Sequence, residues 1–246
     1  MIPSATGEHD GPRGDWAYVS IVSVLPGISL DGRLALLVQF VLFEAAAVVL
    51  AVWFDRLSAL PSATAAIAVT TAGSGLMLLL SDRIRRLDPP AAYHRLLFES
   101  SIDVLLGVVA FLALVTSLLV DTGGTTPGLL ERLLGEPLPT PAVFFALVIL
   151  WDLCYRIGTG WWASLTGLWR SVKFRRTIDP EAATDYRRAD LLTMAFAGLQ
   201  LLLVPFLWPH RLLAGALLGH VLAVLVVSTA AILVLRRRRS AIPGDQ

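Results

Sequence analysis

Only 16% of the 246 residues are Asp, Glu, Lys or Arg, where an ordinary soluble domain has about a quarter. That shortfall excludes a solvated globular surface over most of the chain. Cysteine is nearly absent as well: Cys154 stands alone in the middle of an apolar run, which excludes intrachain disulfides and cysteine-cluster metal sites. Lysine is limited to Lys173, the other basic residues being arginine, a bias that GC-rich coding explains. No HExxH, Walker loop, GxSxG elbow or GxGxxG fingerprint occurs, and the histidines His9, His94, His210 and His220 are scattered. No cofactor or metal is therefore expected. The short basic tail lacks the folded basic surface with interleaved aromatics that a nucleic-acid partner needs.

What is present is apolar: 56% of the residues are hydrophobic and the mean hydropathy is +0.71. Apolar runs near 20 residues recur six times, and about 20 residues at 1.5 Å each cross a hydrocarbon core of about 30 Å. The fold class is thus an all-α, six-helix transmembrane bundle. Its spans are predicted at about 34–54, 59–80, 96–120, 142–169, 190–208 and 211–235, flanked by tails over 1–33 and 236–246. Residues 16–30 are too short and too broken by Pro26 and Gly27 for a span. Acidic Glu8, Asp10 and Asp15 argue against a signal peptide. An interfacial segment with Trp16 and Tyr18 at headgroup depth is expected.

Sixteen Lys and Arg residues fall in the amino terminus, the loops after the second and fourth spans, and the carboxyl tail; the opposite loops hold Arg56, Arg132 and Arg211. The positive-inside rule then puts both termini in the cytoplasm, and a prokaryotic plasma membrane is the expected location. Membrane lipids are the expected partners, with anionic headgroups at the inner face meeting runs such as Arg236–Arg239.

Several local signals refine the spans. Asp88-Pro89 predicts a helix start that carries Arg95, Glu99 and Asp103 on one face. The stretch Arg85 to Arg95 is echoed by Arg175 to Arg187, each pairing two arginines with an Asp-Pro and a following Ala-Ala. The echo is either a parallel repeat of helical hairpins or two basic loops that acquired Asp-Pro caps independently. Residues 170–190 are expected to form the main inner loop. Leu129, Leu130, Leu133 and Leu134 predict a short helix in the opposite loop, and Gly158 and Gly160 a softened stretch of the fourth span. Gly215, Gly219 and Ala223 form a small-residue face for helix packing in the sixth span.

Placed by depth, Glu44, Asp152, Gln200 and His220 form a polar layer near the midplane, with Arg156 one turn away and Asp103 within its reach. Ionisable residues inside a membrane cost about 2.5–3.5 kcal/mol on insertion scales, so they face the protein interior and find partners. One reading is an internal pathway for a proton, ion or small solute, which makes a small transporter or channel-like protein the leading expectation. The other is a static polar pin, with Asp152 paired to Arg156 and Glu44 bonded to His220 or Gln200; it suits a scaffold or complex subunit, or a homo-oligomer assembled through Gly215 and Gly219. A lipid-modifying enzyme working through Arg95, Glu99 and Asp103 is the third. His220 by itself reads as a packing histidine and not a metal ligand.

Overall fold

The computed structural model describes residues 32–119 and 128–237. The segment expected at the interface, residues 16–30, lies outside them, as do residues 238–246 of the tail. Within the described residues the chain is a helical bundle without strands. Among the described residues six stretches are long and apolar enough to cross a membrane, which marks the chain as a membrane protein.

The elements are α1 (Gly32–Trp53), α2 (Leu60–Arg85) after a 3₁₀ turn at Leu57–Ala59, α3 (Ala91–Phe98), α4 (Ile102–Leu119), α5 (Leu129–Leu134) and α6 (Thr140–Lys173). They continue with α7 (Pro180–Leu199), a 3₁₀ turn at Gln200–Leu203, α8 (Val204–Leu207) and α9 (Arg211–Arg237). The 34-residue α6 is the axis, packing against α2, α3, α4, α5, α7 and α9. At about 51 Å it outruns the hydrocarbon core, so its last turns stand beyond the apolar layer. One end of the bundle gathers Arg83, Arg85, Arg86, Lys173, Arg175, Arg176, Arg236 and Arg237; it is called the basic end below, and the end holding Arg56 and α5 the far end.

Proline decides where the helices begin and change. Asp179 stands at the N-cap position of α7 without a side-chain capping bond, and Pro180 opens the helix, since a missing N–H costs nothing in a first turn. The parallel expectation at Asp88-Pro89 is corrected: Asp88 has φ +45° and α3 starts only after Pro90. A second proline follows the first there, and a residue preceding proline is pushed out of the helical region. Pro205 has no N–H to offer the preceding turn, and the chain tightens into 3₁₀ geometry just upstream at Gln200–Leu203.

Two further expectations are overturned. The third span is not one helix from the Asp-Pro cap to residue 120. It breaks between Phe98 and Ile102, where Ser100 bonds the Leu96 carbonyl at 2.7 Å and Ser101 takes φ +53°. Serine offers the backbone an alternative to the helical ladder, so Arg95, Glu99 and Asp103 do not share a continuous face. The expected loop over 170–190 shrinks to 174–179, because α6 and α7 extend through polar turns carrying pairs such as Arg188–Asp185. Hydropathy marks where hydrocarbon ends, not where a helix does. The short helix expected at Leu129 to Leu134 forms as α5.

Gly158 does not soften α6, which runs unbroken. A Cβ at Gly158 would lie 2.6 Å from the Gly107 amide nitrogen, and one at Gly107 2.9 Å from the Tyr155 Cα. The two glycines let α4 and α6 touch backbone to backbone, as small residues permit in membranes. Gly215 and Gly219 have nothing within 4 Å of such a Cβ and face away from the bundle, so they pack no helix within it. Gly158→Leu is expected to lower stability by about 1–3 kcal/mol or more, the cost of overpacking. Gly215→Leu should leave the monomer's stability unchanged. Thermal unfolding of both variants in detergent, followed by near-ultraviolet circular dichroism, compares them.

Candidate functional site

Asp152 and Arg156 are one turn apart on α6, and both are sealed, with side-chain exposures of 2% and 0%. The guanidinium meets the carboxylate with two donors, Nη2 at 2.6 Å and Nε at 3.3 Å. Such two-pronged pairing restores much of what a buried charge loses by leaving water. Gln39 of α1 donates to the same carboxylate at 3.4 Å, and Arg156 Nη1 reaches the Met77 sulfur on α2 at 3.3 Å. Gly73 makes that crossing possible, for a Cβ there would stand 2.8 Å from Arg156 Cδ. Three helices thus converge on one ion pair.

The other residues of the expected polar layer have different partners. The Thr64 hydroxyl of α2 donates to Glu44 Oε1 at 2.5 Å, while Glu44 Oε2 is buried without a partner. Gln200 is fully buried in the 3₁₀ turn, and neither amide atom has a partner. His220 lies beside Trp161, ring centres 6.2 Å apart, its Nε2 unpartnered. Asp103 is buried at the start of α4 and accepts from the Tyr155 hydroxyl at 3.0 Å. The structure therefore gathers Asp152, Arg156 and Gln39, pairs Asp103 with Tyr155 where α4 meets α6, and places Glu44, Gln200 and His220 in separate surroundings. Among the described residues no group of three His, Cys, Asp or Glu converges as a metal centre would require.

A second buried pair escaped the reading by sequence. Arg170, fully buried in the last turns of α6, bonds both Asp190 oxygens through Nη2, at 3.0 and 2.8 Å, and Nη1 reaches the Tyr93 hydroxyl at 3.2 Å. Its guanidinium lies 4.3 Å from the Tyr186 ring centre and 5.2 Å from that of Tyr93, within cation–π range. The box ties α3, α6 and α7 together at the basic end. In sequence Arg170 and Asp190 stand at the edges of a charge-rich stretch, where exposure is the default. Only the Tyr93 and Tyr186 spacing within the two echoed stretches hints otherwise. Outside the spans, burial and then the neighbouring Arg132 charge hold the His210 imidazole below its usual range.

A cavity of about 550 Å³ lies among the described helices toward the far end. Its α6 wall is Ala142, Phe145, Ala146, Ile149, Leu150, Leu153, Cys154 and Ile157. Steps of three and one recur along that set, the mark of a single helical stripe. Asp152 and Arg156 occupy another face of the same helix. Side chains of α1, α2, α4, α5, α8 and α9 complete the walls, nearly all of them Leu, Ala or Phe, with Arg56 and Ser62 at one end and His220 at the other.

The chain belongs to a family of unknown function, DUF7530, whose profile matches residues 13–231. No curated protein and no solved structure matches it.

A buried pair that loses one member leaves the other charge uncompensated, at about 3–5 kcal/mol, whereas replacing both by apolar groups is often neutral. Asp152→Leu alone is therefore expected to destabilise strongly, and Asp152→Leu with Arg156→Met to recover most of the loss. Unfolding of the single and double variants in detergent measures the coupling; equal destabilisation of both would dissolve the pin.

Proposed function

We propose that this membrane protein holds an apolar small molecule between its helices and exchanges it with the surrounding bilayer. The observation that carries this reading is the cavity of about 550 Å³. Its size falls within the roughly 300–1,000 Å³ of small-molecule sites, and its lining resembles theirs, mostly apolar with a few polar atoms at the ends. An apolar cavity of this kind is a poor host for water or for a bare ion, which needs polar groups to replace its hydration shell. In this form the small-transporter expectation takes an apolar small solute as its cargo, in place of a proton or ion.

Transport of an ion along Glu44, Asp152, Arg156, Asp103, Gln200 and His220 is less favoured by the geometry, because Asp152 and Arg156 satisfy each other inside a sealed contact. A scaffold or complex subunit is the second reading, favoured by Gly215 and Gly219, which turn an open small-residue face outward. Enzymatic lipid chemistry through Arg95, Glu99 and Asp103 is least favoured, since Glu99 faces His94 at 3.4 Å while Asp103 is buried against Tyr155. In either favoured reading the basic end faces the cytoplasm of a prokaryotic cell and its arginines meet anionic headgroups.

Filling the cavity tests the proposal. Ala146→Phe and Ala216→Phe each put a ring into the cavity, one from α6 and one from α9. Lipid extracts of wild-type protein, exchanged into detergent and analysed by mass spectrometry, are expected to contain an apolar molecule that both variants lose while still folding. Proton or cation flux in proteoliposomes, abolished by Glu44→Gln and Asp152→Asn in correctly inserted protein, would return the assignment to an ion pathway.

A further inference from the structure

Inside a bilayer an apolar tail gains little by moving from lipid to protein, because lipid tails are as apolar as leucine. If the cavity selects its occupant, it does so through shape and through the polar groups at its ends. At the deep end these are His220 and Cys154, half-buried or buried within the spans. At the far end the group is Arg56, in the turn between Trp53 and the 3₁₀ turn at Leu57–Ala59.

The Arg56 guanidinium makes no hydrogen bond or ion pair with any other described residue, although Asp55 precedes it and Glu131 and Glu136 stand either side of the Gly135 it covers. Asp55 is exposed, with φ +54°, Glu131 turns back to accept from the Gly128 amide at 3.1 Å, and Glu136 is exposed. The guanidinium instead lies over Gly135, which closes α5 at φ +75°; a side chain there would collide with it. Arg56 is thus held at the rim, half-buried, with its donors unassigned. From Ala142 to Ile157 the lining stripe of α6 rises about 22 Å, so the apolar space runs along the helix axes, parallel to lipid chains.

Resting on the proposal that the cavity holds an apolar molecule, we infer that its occupant is a single-chain amphiphile with an anionic head: the tail lies along the Ala142 to Ile157 stripe and the head is paired to Arg56. A guanidinium and a phosphate, sulfonate or carboxylate form charge-assisted, often two-pronged hydrogen bonds, which a neutral head of equal size does not. The unassigned donors and the elongated apolar wall meet at one rim, as such a ligand requires.

Hexadecyl phosphate and hexadecanol share a tail and differ in the head. The full-length protein in detergent is titrated with each and its bound fraction read by native mass spectrometry. Wild type is expected to bind the phosphate at least about tenfold more tightly, the effect of one charge-assisted contact. Arg56→Gln should bind both at the alcohol's level, and Arg56→Lys should keep part of the preference. Thermal unfolding confirms that both variants fold. Equal binding of the two probes by wild type, or a preference untouched in Arg56→Gln, overturns the headgroup assignment and leaves the cavity reading standing. Failure of wild type to bind either probe overturns the cavity reading, and the headgroup assignment with it.

Discussion

A charge taken out of water must recover its hydration energy from the protein, and helix α6 meets that constraint twice. Arg156 and Arg170, fourteen residues apart on one helix, are both buried, and each lies against a carboxylate with two bonds under 3.5 Å. The Asp152 carboxylate also draws Gln39 of α1, and Arg156 draws Met77 of α2. The Arg170 pair draws α3 and α7 through Tyr93, Tyr186 and Asp190. Since apolar surface gives helices no preference for one another over lipid, these polar contacts and close glycine crossings are what specify the neighbours of α6. The bundle is organised from its axis outward.

That organisation leaves different roles to different faces of α6. One face carries the two charge pairs, while Gly158, about 200° round the helix from Arg156, meets Gly107 of α4 in a close backbone crossing on the other side. The apolar stripe from Ala142 to Ile157 borders the far-end cavity. Rigid polar pins beside an apolar cavity wall suit a binding site physically: the pins hold the walls in place, so an occupant loses little of its binding energy to ordering them.

The spans were legible because about 20 consecutive apolar residues match the thickness of the hydrocarbon core and far exceed what a soluble helix buries. The short helix α5 was legible because four leucines stand at helical spacing. Helix ends were less so. Pro90 delayed α3 and the Ser100-Ser101 pair interrupted the third span, both local steric effects that hydropathy averaging conceals. Of the candidate site, the Asp152 and Arg156 pairing followed from a spacing of four on one helix. Gln39 gave no signal, for one glutamine near a span's end is unremarkable until a carboxylate from another helix arrives beside it. Arg170 and Asp190 read as loop charges because a window of residues reports water or lipid outside, not a partner 20 positions away.

By itself, then, the sequence determined the class, an all-α chain with six apolar helices, and the buried Asp152–Arg156 pair one turn apart on α6, because both depend on interactions a few residues long. Tertiary structure alone decided which polar groups found partners, Glu44 with Thr64 and Asp103 with Tyr155, and which did not, as with Gln200. It alone decided that the Ala142 to Ile157 stripe borders a cavity and not a packed core. A helical apolar stripe looks the same in sequence whether a neighbouring helix touches it or stands away, since the difference lies in the relative placement of six helices.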